Sequence, residues 1–215
     1  MSIPNKQIRA VYDDKTIRVY QAYSAAIADS ALEYGTFKSP PFKMERMTWI
    51  KPSFLWMMYR SGWGKKESAQ QRILAIDITR EGFEWALEHS LLSHKAKHYA
   101  DKDEWLRIKK ATPVRIQWDP ERDLQLQPQK HRTIQIGLTN EAVPLYINEW
   151  TQKIADVSDL AAEIHELVEQ GELAAAERRL PVEMPFNVTE PIFRHLHDSE
   201  TEGEQNFNHD CAAIE

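Results

Sequence analysis

Met47-Thr48-Trp49-Ile50-Lys51-Pro52-Ser53-Phe54-Leu55-Trp56-Met57-Met58-Tyr59-Arg60-Ser61-Gly62-Trp63 gathers three of the chain's 7 Trp and three of its 6 Met into one run. Met47 to Ile50 reads as a short strand. Lys51-Pro52 then opens a helix, because proline at the first helical position gives up only an N–H that has no partner there, and Gly62 ends it. With Phe54, Leu55, Met57, Met58 and Tyr59 around most of its circumference, such a helix is buried on both sides or covers a ligand. Between Lys38 and Lys66 stand Lys38, Lys43, Arg46, Lys51, Arg60, Lys65 and Lys66 against one acid, Glu45. Aromatic surface beside fixed positive charge suits a flat anion, a nucleotide or a nucleic acid. The competing reading is a buried amphipathic helix with cations at its ends.

Upstream, Ile8 to Tyr12 and Thr16 to Tyr23 have strand propensity and a turn between them at Asp13-Asp14-Lys15, which predicts a β-hairpin. Gln21 and Tyr23 fall on one face of the second strand. Ser24 caps a helix over 25–34, with Ile27, Ala28, Ala31 and Leu32 on one face and Gly35 closing it in the left-handed region. Downstream, Arg72 to Thr79 is an interior strand with Asp77 as its one charge. A helix follows from about Glu81 to His89. Asp101 and Glu104 form a capping box for a helix through Ala111. Pro113 to Trp118 alternates as a strand and ends at the turn Asp119-Pro120-Glu121-Arg122. A partner at Leu124 to Leu126 and a strand at Arg132 to Leu138 follow, so Gln117 and Gln135 could project into one cleft. Helices are predicted from Glu141 to about Ile154, from Ser158 to Gly171 and from Glu172 to Leu180. The sum is an α+β fold, a central mostly antiparallel sheet flanked by helices, with a C-terminal helical segment from about residue 140.

A chain of 215 residues suffices for one domain with a core. One domain is expected over 1–180, with 181–215 a largely disordered acidic tail and little order beyond about residue 190. Asp198, Glu200, Glu202, Glu204, Asp210 and Glu215 account for the net charge of −6, leaving 27 acids and 27 bases elsewhere. Against a neutral body the excess between Lys38 and Lys66 is local and argues for an anionic ligand. The single Cys211, the lack of a signal-like start and the lack of any run near 20 apolar residues predict a cytoplasmic protein with no membrane partner. His89, His94 and His98, and His195, His197, His209 and Cys211, are spaced like metal-ligand pairs, but no matching ligand set accompanies them and no metal is expected. Phosphate-loop, G-x-G-x-x-G, G-x-S-x-G and H-E-x-x-H patterns are absent.

Ile8-Arg9-Ala10-Val11-Tyr12-Asp13, Val19-Tyr20-Gln21-Ala22-Tyr23, the run Arg46 to Trp63, Ile78-Thr79-Arg80-Glu81-Gly82-Phe83-Glu84-Trp85, Val114 to Arg122 and Ile134-Gln135-Ile136-Gly137-Leu138 resemble the family called domain of unknown function 4291, over about residues 5 to 180. More distantly, the order strand with Tyr-Gln-x-Tyr, helix ending at Gly35, strand with Thr48, helix Pro52 to Arg60, polar loop and strand Arg72 to Ile78 is similar to the ADP-ribosyltransferase fold, whose sheet is split. In that superfamily a first-strand His or Arg holds the NAD ribose and amide. A second-strand Ser, Thr or Tyr leads into a helix whose aromatic residue stacks on nicotinamide, and a late-strand Glu orients the reacting ribose.

The resemblance implies Gln21, Thr48, Glu121 and Gln135 as catalytic candidates, and Tyr23, Trp49, Lys51, Tyr59 and Arg60 as residues that hold NAD. Gln21 departs from the pattern, being neither His nor Arg. Gln135 stands on the late strand, while the nearest acid, Glu121, is read in a turn; without a Glu in the cleft the oxocarbenium-like ribose lacks its electrostatic partner. The expected function is an NAD-binding transferase acting on a nucleic acid or other anionic acceptor. The alternative is a non-enzymatic nucleotide or single-stranded nucleic-acid binder that uses segment 43–66, with Trp49, Trp56 or Trp63 as stacking surfaces and Lys43, Arg46, Lys51 and Arg60 on phosphates. A structural or interaction role gains ground if these Trp are fully buried.

Overall fold

The strand and helix of segment 47–63 lie where two sheets meet. The computed structural model describes residues 3–92 and 101–197. The order is β1 (Arg9–Ala10), β2 (Thr16–Tyr23), α1 (Ala25–Tyr34), β3 (Thr48–Ile50), α2 (Phe54–Ser61), β4 (Arg72–Thr79), α3 (Arg80–Glu88), β5 (Ser90–Leu92) and α4 (Lys102–Ala111). It continues with β6 (Val114–Arg122), β7 (Pro128–Leu138), α5 (Ala142–Leu145), a π-turn at Tyr146–Trp150, β8 (Thr151–Asp156), α6 (Ser158–Glu169), α7 (Leu173–Arg179), β9 (Met184–Pro185) and α8 (Glu190–His197). The class is α+β, as expected.

One sheet has the order β2-β4-β8, a second β3-β7-β6-β5, and β1 pairs with β9. All pairs are antiparallel except β5 with β6. Among the described residues the two larger sheets are joined by one backbone bond, Tyr20 N–H to the Lys51 carbonyl, 2.7 Å. β4 is the central strand of its sheet, and its Ile73, Leu74, Ala75, Ile76 and Ile78 are buried on both faces, which explains the unbroken apolar run. Its one charge, Asp77, stands opposite Arg18 of β2 and accepts two hydrogen bonds from its guanidinium, 2.7 and 2.9 Å. Phe54, Met57 and Met58 of α2 pack with Tyr20, Ile73, Ala161 and Ile164, so α2 is wedged between the smaller sheet and α6. Each such side chain contributes roughly 1.5–3 kcal/mol by burial.

Five expectations need correction. The 8–23 hairpin survives only as a bridge between Tyr12 and Ile17, because β1 pairs with β9. The helix after Lys51 takes Ser53, one residue beyond Pro52, as its cap, with Ser53 Oγ accepting from Trp56 N–H at 3.1 Å. The turn at 119–122 is the end of a longer strand: β6 runs to Arg122 with a bulge between Pro120 and Arg122, and residues 123–127 form the loop into β7. The helix expected over 141–154 stops at Leu145, widens through the π-turn and becomes β8. The open edge of β4 takes up Thr151–Asp156, while Val143, Tyr146, Ile147 and Trp150 keep their inward stripe. Beyond residue 190, where little order was expected, α8 buries Ile192 and Leu196.

Candidate functional site

Gln21 and Tyr23, two residues apart on β2, share a face near the seam, and Thr48 opens β3 beside them. Gln21 Nε2 donates to Thr48 Oγ1 at 2.8 Å and to the Trp49 carbonyl at 3.0 Å. Gln21 Oε1 accepts from Tyr146 O–H at 2.7 Å. Tyr23 O–H and Thr48 Oγ1 share a 3.0 Å hydrogen bond. Burial raises the Tyr23 and Tyr146 phenols well above their ordinary range, so both stay neutral. Both ends of the Gln21 amide are therefore occupied, and what the network holds in place is the Thr48 hydroxyl.

A second group lies along β6 and β7. Gln117 and Gln135 face each other in register, and both amides donate to Asp119, Gln117 Nε2 at 3.1 Å and Gln135 Nε2 on the other carboxyl oxygen. Burial raises the Asp119 carboxyl, against the opposing pull of those bonds and of the Arg132 and Lys51 charges. Lys51 is 6% exposed. Its Nζ reaches the Trp49 carbonyl at 3.4 Å, lies 5.6 Å from the centre of the Trp56 ring and makes no ion pair among the described residues. Burial, reinforced by Arg60, pushes the Lys51 amine down to about 7, with Asp119 the one opposing charge.

The third group is at the N-terminus of α2. The bulge turns Glu121 inward, where its Oε1 accepts from Ser53 O–H at 2.9 Å and Arg122 N–H at 2.8 Å. Glu183 comes from the segment between α7 and β9, and its Oε1 accepts from Phe54 N–H at 2.7 Å. Burial raises both carboxyls, and Glu183, which also feels the Glu121 charge, rises to about 8.

Tyr59 is 41% exposed on the last turn of α2, with the Arg122 guanidinium 3.5 Å over its ring, and Arg60 is exposed beside it. Trp49 is half-buried against Gly137, where a Cβ would come within 3.0 Å of the indole. Trp56 and Trp63 are buried, at 6% and 7% exposure, and Trp63 packs on His165 with ring centres 5.2 Å apart. The Trp56 Nε1–H is enclosed without a partner.

The predicted residues fall into separate groups on β2, β3, α2, β6 and β7. Gln21, Tyr23 and Thr48 touch directly, Lys51 and Gln21 share the Trp49 carbonyl, and Glu121 joins through Ser53. Tyr59 and Arg60 sit at the outer end of α2. Tyr146 and Glu183 were missed. Tyr146 reads as one more member of an apolar stripe, and Glu183 lies past Pro181 in what looks like tail, with no local signal for either.

Two surface cavities lie elsewhere, one of about 390 Å³ beside Gly82, Trp85 and Trp150, the other of about 470 Å³ between residues 4–8, Trp118 and α8. Among the described residues no set of three or more His, Cys, Asp or Glu could hold a metal. His89 stacks on Trp85, His195 bonds to Ser90 and His197 to the Phe193 carbonyl. His94, His98, His209 and Cys211 lie outside the described residues. No described helix is long and apolar enough to cross a membrane.

An α+β protein whose two sheets part around buried polar groups is the class these features define. The chain belongs to the family described as domain of unknown function DUF4291, whose model matches residues 7–186. No curated protein matches it.

Proposed function

We propose that the protein is an NAD-binding, ADP-ribosyltransferase-like enzyme that modifies a nucleic acid or another anionic acceptor. The observation that carries this reading is the 2.8 Å bond between Gln21 and Thr48, 27 residues apart, at the seam where the two sheets diverge. Gln21, Tyr23 and Tyr146 are positioning residues that present the Thr48 hydroxyl. Glu121, at the β6 bulge and accepting from Ser53, is our candidate for the acid the chemistry requires. Gln135 fixes Asp119 beside Lys51, and Tyr59 with Arg60 forms the outer rim.

What supports a polar ligand here is that Trp56 Nε1–H is an enclosed donor without a partner and that Lys51 Nζ makes one long hydrogen bond. NAD bound there supplies the ADP-ribosyl group, with nicotinamide as leaving group. The burial of Trp56 and Trp63 removes two of the three stacking surfaces that a purely non-enzymatic binder would use, and it equally favours a structural role for those two rings. Isothermal titration with NAD, followed by a nicotinamide-release assay, tests the reading. Binding in the micromolar to millimolar range and release lost in Glu121→Gln are expected; no binding at millimolar NAD refutes it.

A further inference from the structure

The two faces of the β6–β7 pair differ in kind. Val114, Ile116, Trp118, Ile134, Ile136 and Leu138 alternate onto the core side and are buried. The opposite side carries Gln117 and Asp119 from β6, Gln135 and Gly137 from β7, and Trp49 of β3 across from Gly137. Gly137 has no side chain, and the Trp49 indole lies over it: a Cβ there would stand 3.0 Å from the six-membered ring. Trp49, Gln117 and Asp119 are half-buried, so solvent reaches this polar face.

Gln117 and Gln135 stand side by side, about 5 Å apart as directly opposed residues of neighbouring strands. Each donates its Nε2 to a different oxygen of Asp119. A carboxylate only accepts, so it fixes both amides with the nitrogen toward Asp119 and the oxygen left over. Neither amide oxygen has a partner among the described residues, and neither is enclosed. Two acceptors held in parallel beside an indole suit a flat group with two neighbouring N–H donors. Arg132 and Lys51, whose charges Asp119 feels, disfavour a guanidinium in that role. Among nucleobases guanine presents the pair, N1–H with N2–H. Adenine and cytosine set one amino group beside a ring acceptor, and thymine sets N3–H between two carbonyls. We propose that Gln117 and Gln135, oriented by Asp119, form with Trp49 a recognition site for a guanine base. The proposal deepens the reading above by naming the base of its acceptor, and it rests on that reading for the ligand being a nucleic acid or nucleotide.

The test is isothermal titration of the full chain with thymidine hexanucleotides that carry one central guanine, adenine or hypoxanthine. A second arm compares GMP with AMP and shows whether the base needs a strand around it. Wild type is expected to bind the guanine strand about tenfold more tightly than the adenine strand. Hypoxanthine keeps N1–H and lacks the N2 amino group, so its strand falls between the two. Asp119→Asn offers the Gln oxygens a donor, releases their fixed orientation and erases the preference. Gln117→Leu, at a half-buried position, removes one acceptor and reduces it. Trp49→Leu removes the stacking surface and weakens all three strands together.

Equal wild-type affinity for the guanine and hypoxanthine strands overturns the proposal without any variant, as does failure of every probe to bind at millimolar concentration. A preference that survives in folded Asp119→Asn overturns it too, because the orientation of the two amides then has another cause. Guanine preference without nicotinamide release would refute the transferase and leave the base site standing; nicotinamide release with no base preference would do the reverse.

Discussion

Replacing Glu183 with Gln removes a titration while keeping the acceptor that holds the start of α2. In the native protein the Glu183 carboxyl rises from its ordinary 4.5 to about 8, chiefly by burial and further by the Glu121 charge, against the pull of the Phe54 N–H and Arg9. A native value above the unfolded one means the folded state holds this proton more tightly. Its contribution is complete below about pH 4.5, is lost as pH rises through about 8, and is absent above. At about 1.4 kcal/mol per pH unit the full swing is at most about 5 kcal/mol. The residue as a whole is half-buried although its carboxyl is enclosed. Hydration on opening reduces the swing to about 2–3 kcal/mol. Glu183→Gln is therefore expected to match wild type within about 1 kcal/mol at pH 5 and to exceed it by about 2–3 kcal/mol at pH 9. Urea unfolding followed by tryptophan fluorescence at pH 5, 7 and 9 measures this directly. A difference that stays constant across the three pH values would show that the carboxyl is hydrated in the native state, and the reasoning fails.

Two further substitutions probe the architecture. Tyr146→Phe deletes the donor to Gln21 Oε1 and leaves an enclosed amide oxygen unpaired, so a loss of about 1–3 kcal/mol is expected in the same unfolding assay, with the Thr48 hydroxyl less firmly placed. Gly82→Ala places a Cβ 2.3 Å from Trp150 Cγ, a rigid indole packed against α3. A destabilisation of about 1–3 kcal/mol is expected, read as a lowered thermal midpoint, and an unchanged midpoint would mean Trp150 has room to move.

What could be read from the sequence follows from how local the cause is. Asp101 accepts from Glu104 N–H at 2.6 Å, as the capping box requires, because both partners sit within one helical turn. Gly35 and Gly62 adopt φ of 67° and 57° at the helix ends for the same local reason. Gln117 and Gln135 face each other because two alternating strands joined by a short loop have few registers. The passage from Leu145 to Thr151 was not legible. A π-turn keeps the inward stripe of an α-helix, and what ends the helix is the hydrogen-bonding demand of β4, some 75 residues earlier in the chain. The pairing of β1 with β9 likewise depends on a strand more than 170 residues away, which no local turn signal can outweigh.

The site divides along the same line. Strand alternation places Gln21 and Tyr23 on one face, and Thr48 needs only to open the next strand to meet them. Lys51 was legible as a residue of interest and illegible in its state. A cation after Ile50 and before Pro52 reads equally well as one that snorkels to water. What encloses it is the backbone bond from Tyr20 to its own carbonyl, which pins Lys51 where the sheets part, and the closure of Trp56 over its amine. One inter-sheet contact thus converts an ordinary surface charge into an amine near its midpoint at neutral pH. The same contact sets Gln21 within reach of Thr48. If the seam is what makes both groups, then loosening it should release Lys51 to its ordinary basicity and break the Gln21 network together, a coupling that neither residue's local sequence contains.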